Sequence, residues 1–254
     1  FIGIGIAVLV GIVIVGGLKG IAKVTEKVVP SMAALYILMC VIVIGANITE
    51  VGTAFSLIID GAFNPDAIYG GFLGVLVLGF QRAAFSNEAG LGSASIAHSA
   101  AKTNHPVSEG FVALLEPFID TVVVCTLTAL TILVSVKPGM AALNGISLTT
   151  FAFTQNLGEF GRHALGVIIL MFSFSTMIGM ANYNKKCWDY LFRGRFGFGN
   201  RTFIIYYSMS LAVGAVIKMS NVINIIDICY ALMAIPNIIG TVLLAKHVRL
   251  KLRE

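Results

Sequence analysis

Charge is scarce in this sequence. Of 254 residues only 11% are Asp, Glu, Lys or Arg, 57% are hydrophobic, and the mean hydropathy is +0.93. Soluble domains carry about 25% charged residues. Less than half of that cannot coat a particle in water, so a water-soluble domain is excluded and the solvent must be lipid. Cysteine is also sparse. Cys40, Cys125, Cys187 and Cys229 lie far apart without a Cys-x-x-Cys pair, which argues against a disulfide framework or a zinc site. His98 and His105 stand seven apart without a metal-ligand partner three or four residues away, so they read as structural or loop residues. A charged leader and a cleavage site are missing before the first apolar run, which is therefore not a secretory signal. Phe1 already sits inside that run, and the chain is expected to be truncated at its N-terminus.

Long apolar runs are what the sequence has. A spanning helix needs about 20 mostly apolar residues, and seven candidates appear: 1–18, 29–47, 67–100, 109–136, 163–183, 202–218 and 221–245. The third is too long and too polar in its middle to be one ordinary helix. The stretches 51–64 and 145–157 are too short to span and read as hairpins or surface helices. Alternate loops then divide the basic residues. Lys19, Lys23, Lys27, Lys102, Lys185, Lys186, Arg193, Arg195, Arg201, Lys246, Arg249, Lys251 and Arg253 fall on one side, and only Lys137, Arg162 and Lys218 on the other. Cytoplasmic loops are the basic ones, which places Glu254 inside and residue 1 outside. The net charge of +5 thus matches a membrane's anionic inner face rather than nucleic acid.

Ionisable residues inside spans are costly and usually face a cavity or a partner. Here they are Arg82, Glu88, Glu116, Asp120 and Asp227. In the third segment, Gln81-Arg82-Ala83-Ala84-Phe85-Ser86-Asn87-Glu88-Ala89-Gly90-Leu91-Gly92 separates an apolar half from a small-residue half. Ser, Asn and two glycines are poor helix formers, so a break is expected here. Backbone freed at that depth is tolerated only where it lines a cavity or coordinates something, and broken helices of this kind build the sites of secondary transporters. Glu116 and Asp120 share one face of the fourth segment. Asp120 is expected to meet a cation, Arg82 or backbone N–H groups of the break. Phe172-Ser173-Phe174-Ser175-Thr176-Met177-Ile178-Gly179 brings three hydroxyls near mid-span, suited either to sodium or to bonding their own helix. Asn221, Asn224 and Asp227 mark the outer end of the last helix, and Pro236 is expected to kink it.

The run Phe85-Ser86-Asn87-Glu88-Ala89-Gly90-Leu91-Gly92-Ser93-Ala94, followed by Ile96-Ala97-His98 and His105-Pro106-Val107, resembles the signature of the alanine or glycine:cation symporter family. Phe118-Ile119-Asp120-Thr121, Cys125-Thr126-Leu127-Thr128-Ala129, Gly16-Gly17-Leu18-Lys19, Glu26-Lys27-Val28-Val29-Pro30 and Phe174-Ser175-Thr176-Met177-Ile178-Gly179 extend it from about residue 8 to 190. The resemblance implies an all-α integral membrane protein with the leucine-transporter fold, two inverted five-helix repeats around a central site. Residues 1–48 would be the last two helices of the first repeat, 67–245 the second repeat and 246–254 a basic cytoplasmic tail. The expected activity is sodium-coupled symport of a small neutral amino acid, alanine or glycine, across a bacterial inner membrane, with sodium as coupling ion and no other cofactor. Phe85, Ser86, Asn87, Glu88, Gly179 and Met180 would line the amino-acid site, and Ser175 and Thr176 would hold sodium. Arg82, Gly90, Gly92 and Asp120 would support or couple them. Met180 stands where the family usually has Trp, and Ser95 where Pro is frequent. A proton-driven transporter of the same fold, using Glu88 or Asp120, is the alternative, and a non-transporting sensor or scaffold is another. A membrane enzyme finds no nucleophile–base or metal spacing.

Overall fold

The computed structural model of the chain describes residues 2–63, 73–136, 145–192 and 199–251. Among the described residues there is no strand. This follows from the solvent: in lipid every backbone N–H and C=O must be satisfied within its own segment, and a helix does so. The helices are α1 (Ile2–Val15), α2 (Gly17–Ala46), α3 (Val51–Phe63), α4 (Leu73–Asn87), α5 (Ser93–His98), α6 (Pro106–Pro117), α7 (Thr126–Ser135), α8 (Ile146–Phe192), α9 (Asn200–Gly214) and α10 (Met219–Lys251). A short 3₁₀ turn, Ile48–Glu50, joins α2 to α3.

Four stretches are long and apolar enough to cross a membrane: Gly20–Ala46, Pro106–Ser135, Ile146–Phe192 and Met219–Val248. The chain is therefore an integral membrane protein. The other three expected spans are shorter in the described residues, at 14 residues for α1, 15 for α4 and 15 for α9. The beginning of the third expected span, 67–72, lies outside the described residues, as do Lys137, Arg193, Arg195 and Arg253 of the charge count.

Two local features bend this architecture. Gly158 lies at φ 64°, ψ −153° inside α8, a backbone open only to glycine. It divides the helix into an arm, 146–157, and a long second part, 159–192, close to the division expected from hydropathy. Pro117 removes a backbone donor at the end of α6, and the next eight residues, Phe118–Cys125, wind as a π-helix before α7 resumes the α pattern. Pro236 lies inside α10. The last helix runs through it without ending.

The core lies between α1, α2, α8 and α9. One cluster joins Val10, Ile14, Ile21, Ile178, Phe203 and Tyr207, and a second packs Tyr36, Met39, Cys40 and Val43 of α2 against Phe153, Leu165 and Ile168 on both parts of α8. At about 25 cal/mol per Å² of apolar surface, side chains as enclosed as Phe153 and Phe203 (both 0% exposed) dominate the packing. α4, α5 and α10 lie outside both clusters, and the apolar span of α10 has no buried residue.

Candidate functional site

The polar run of the third segment is a break between two helices. α4 ends at Asn87, α5 starts at Ser93, and the residues between them are non-helical. Three adopt positive φ: Glu88 at 54°, Gly90 at 81° and Gly92 at 92°. The two glycines reach that region without cost, whereas a left-handed non-glycine residue is uncommon and marks a strained position. Glu88 is thus held in its conformation by its neighbours. The Glu88 N–H still bonds Ala84 O at 3.2 Å and the Leu91 N–H bonds Glu88 O at 3.1 Å, while Asn87 Oδ1 accepts the Ala89 N–H at 2.9 Å. The break is a defined turn, not a frayed end.

Two other elements hold it. Ser86 Oγ donates to Asp120 Oδ2 at 2.6 Å, and Asn87 Nδ2 donates to Thr121 Oγ1 at 2.9 Å. Asp120 and Thr121 are consecutive and sit in the π-helical turn, whose wider winding carries both toward the break. From the other side Asn237 of α10 donates through Nδ2 to Gly90 O at 2.9 Å. A Cβ on Gly92 would come within 3.2 Å of Asn237 Oδ1, so a larger residue there needs the Asn237 side chain to shift by a few tenths of an ångström besides adopting the positive φ. The Phe85 ring lies 5.9 Å from Tyr230, also on α10. Ser93, the first residue of α5, is buried, with its hydroxyl beside the Glu88 carboxyl.

The carboxylates of the fourth segment serve different halves of the break. Asp120 meets Ser86 at the end of α4, while Glu116 faces His98 at the end of α5. Arg82 is exposed and has no ion pair or hydrogen bond among the described residues, so Asp120's partner is the Ser86 hydroxyl rather than a cation. Thr128 accepts or donates across 2.6 Å to Tyr36 of α2, which ties α7 to the core. Ser175 is buried and donates to Phe172 O at 2.9 Å, with Met32 Sδ 3.7 Å away; Thr176 is exposed. Gly179 and Met180 are half-buried one turn further along. No group of three or more His, Cys, Asp or Glu suited to a metal occurs among the described residues.

A cavity of about 390 Å³ with a mixed lining lies apart from the break, with Asn47, Glu50, Ser135 and Asn156 beside Leu57 and Val134. Asn47 Nδ2 donates to Asn156 Oδ1 and Asn156 Nδ2 to Ser135 Oγ, both at 2.7 Å. These bonds fasten the 146–157 arm to α2 and α7.

Sequence reasoning named Ser86, Asn87, Glu88, Gly90, Gly92 and Asp120, and the structure brings all six to one place. It passed over Thr121, Ser93, Tyr230, Asn237 and Glu109. Pro117, three residues ahead of Asp120, was a readable sign of altered winding. Asn237, beside Pro236 in an apolar helix, was a polar group in need of a partner.

The whole chain, residues 1–254, matches the sodium:alanine symporter family. It is 38% identical over 247 residues to the sodium/alanine symporter of Methanococcus maripaludis, covering 96% of this chain and 54% of that protein. It is 36% identical over 257 residues to a probable sodium/glutamine symporter of Bacillus subtilis, with coverage of 100% and 53%. A sodium/proton-dependent alanine carrier protein of Bacillus sp. strain PS3 is 34% identical over 190 residues, with coverage of 69% and 43%. The chain spans about half the length of the first two of these relatives. With the interrupted helix and the apolar spans, these matches show that the chain belongs to the sodium:alanine symporter family.

Proposed function

We propose that this chain forms one wall of the transport site in a protein that moves a small neutral amino acid, alanine or glycine, into the cell together with sodium. The observation that carries this reading is the polar break at residues 88–92. It is a non-helical turn in an apolar segment, held by Asp120, by Asn237 and by the side chain of its own Asn87. Such a turn offers carbonyl oxygens to a cation and N–H groups to a carboxylate. Phe85, Ser86, Asn87 and Glu88 would contact the amino acid, with Gly179 and Met180 closing the pocket from α8. Ser175 and Thr176 would give hydroxyl oxygens to sodium, Ser175 by turning from the Phe172 carbonyl. The fold would be the inverted-repeat bundle of the leucine transporter, in the cell membrane with the basic C-terminus cytoplasmic.

The test is reconstitution of the full-length protein in vesicles and uptake of labelled alanine or glycine down a sodium gradient. Uptake should collapse when choline replaces sodium, and an unchanged rate would reject sodium coupling. A second reading, a proton in place of sodium, draws on the name of the Bacillus sp. relative. An acid-stimulated, sodium-independent rate that is lost in Glu88→Gln would establish it.

A further inference from the structure

His98, the last residue of α5, stands between two carboxylates of α6. Its Nδ1 is 2.7 Å from Glu109 Oε1, and its Nε2 is 3.5 Å from Glu116 Oε2. Glu109 and Glu116 are seven residues apart, two turns along one face of the same helix. The imidazole therefore spans that face as a crossbar. The two contacts are unequal. The first is a short, charge-assisted hydrogen bond, and it assigns a proton to Nδ1. The second is too long for a hydrogen bond, yet Nε2 is buried and has no other partner.

A histidine satisfies two carboxylates only when both ring nitrogens carry protons. In the neutral ring Nδ1 keeps its proton for Glu109, so the nitrogen that loses one is Nε2. Its lone pair then faces a carboxylate across 3.5 Å, a repulsive contact that the exposed Glu116 side chain leaves by turning into solvent. The Glu109 bond survives and the Glu116 contact fails. Glu116 is the freer acid, with a side chain 57% exposed against 23% for Glu109. It also stands one turn ahead of Asp120, whose carboxylate holds Ser86 at the edge of the break.

We propose that His98 is a proton-binding clamp: doubly protonated, it fastens the half-helix α5 to α6 at two points, Glu109 and Glu116, and loss of the Nε2 proton releases Glu116 and leaves α5 held to α6 by Glu109 alone. The proton is a modulator here, distinct from the coupling ion. α5 suits the role, being a six-residue helix that is too short to be stable alone and depends on its contacts with α6 and α8.

The idea rests on the transport reading for one of its two tests. In vesicles of the full-length protein at fixed sodium gradient, uptake should slow as the pH on the side of Lys102 falls, by up to about tenfold between about pH 8 and about pH 6, the range over which histidine titrates. His98→Lys should stay near the slow acid rate at both pH values, and His98→Gln near the fast alkaline rate, each varying less than about twofold. Titration of Glu88 would leave the same slope in all three proteins. One shared slope, or a His98→Gln variant fixed at the slow rate, overturns the proposal. The second test needs no transport. The thermal midpoint of the purified wild type should fall toward that of His98→Gln as pH rises from about 6 to about 8, because the clamp's contribution is present at low pH and lost on deprotonation. His98→Lys should lack this fall. A constant difference between wild type and His98→Gln would refute the clamp even if sodium-driven uptake were absent.

Discussion

The hydrogen bond from Ser86 to Asp120 makes a quantitative claim about how the break is held. It is short, at 2.6 Å, and its acceptor is a carboxylate. Asn87 donates to Thr121 beside it, and the Thr121 hydroxyl is 3.5 Å from Asp120 Oδ2, so these four side chains close a ring between the end of α4 and the π-turn. A hydrogen bond to a charged group contributes about 1.5–3 kcal/mol. Ser86 is exposed and Asp120 only half-buried, which puts this one at the low end, about 1.5 kcal/mol, or roughly tenfold in an equilibrium constant. If the ring sets the geometry of an amino-acid site, that energy appears in binding. Sodium-dependent alanine affinity of the purified full-length protein, measured for wild type, Ser86→Ala, Asp120→Ala and the double variant, isolates the pairwise part. Each single change should weaken binding by about tenfold, and the double variant by little more than either. Additivity within about 0.5 kcal/mol would mean that the two groups act independently and that the ring does not shape the site.

Gly90→Ala and Gly92→Ala separate backbone strain from crowding. Both force a Cβ into the left-handed region at about 1–2 kcal/mol, but only Gly92 has Asn237 in the way, so its thermal midpoint should fall further; equal shifts would deny the Asn237 contact. Ser175→Ala and Thr176→Val should each raise the sodium concentration for half-maximal uptake, by about tenfold if one oxygen ligand is lost. The neighbouring exposed Ser173→Ala serves as control. Unchanged sodium dependence in both variants would move the ion site off α8.

The break could be read from residues 85–92 because the signal there is local. Asn, Ser and Gly disfavour helix wherever they stand, and in lipid a disrupted helix must expose groups that need partners. The division of α8 was equally local, since polar residues around Gly158 separate two apolar stretches. What holds the break was not legible. Asp120 was named as a support, yet its partner turned out to be a side chain 34 residues away, and Asn237 reaches Gly90 across 147 residues. Pairings of that kind depend on packing that one sequence does not encode in any short window. The π-turn hid for another reason. Helical spacing put Glu116 and Asp120 on one face, and the missing N–H of Pro117 changed the winding between them. Pro236 is the converse case, a proline in an apolar helix that the helix runs through.

The placement of the break relative to the core also says what can move. The buried clusters join α1, α2, α8 and α9, and Tyr36 anchors α7 to them through Thr128. Apart from the buried Leu91, the named holds of the break are single polar contacts: Ser86 to Asp120, Asn87 to Thr121, Gly90 to Asn237, His98 to Glu109 and Glu116. Apolar packing resists sliding because many small contacts must be lost together, whereas a hydrogen bond near water or a bound solute exchanges partners at a net cost of about 1 kcal/mol. A substrate that brings its own donors and acceptors can thus replace these holds one by one while Phe153 and Phe203 stay enclosed. Motion at such a site is therefore expected in α4, α5 and the π-turn. What sets those elements apart is that side-chain hydrogen bonds, and neither of the two buried apolar clusters, tie them together.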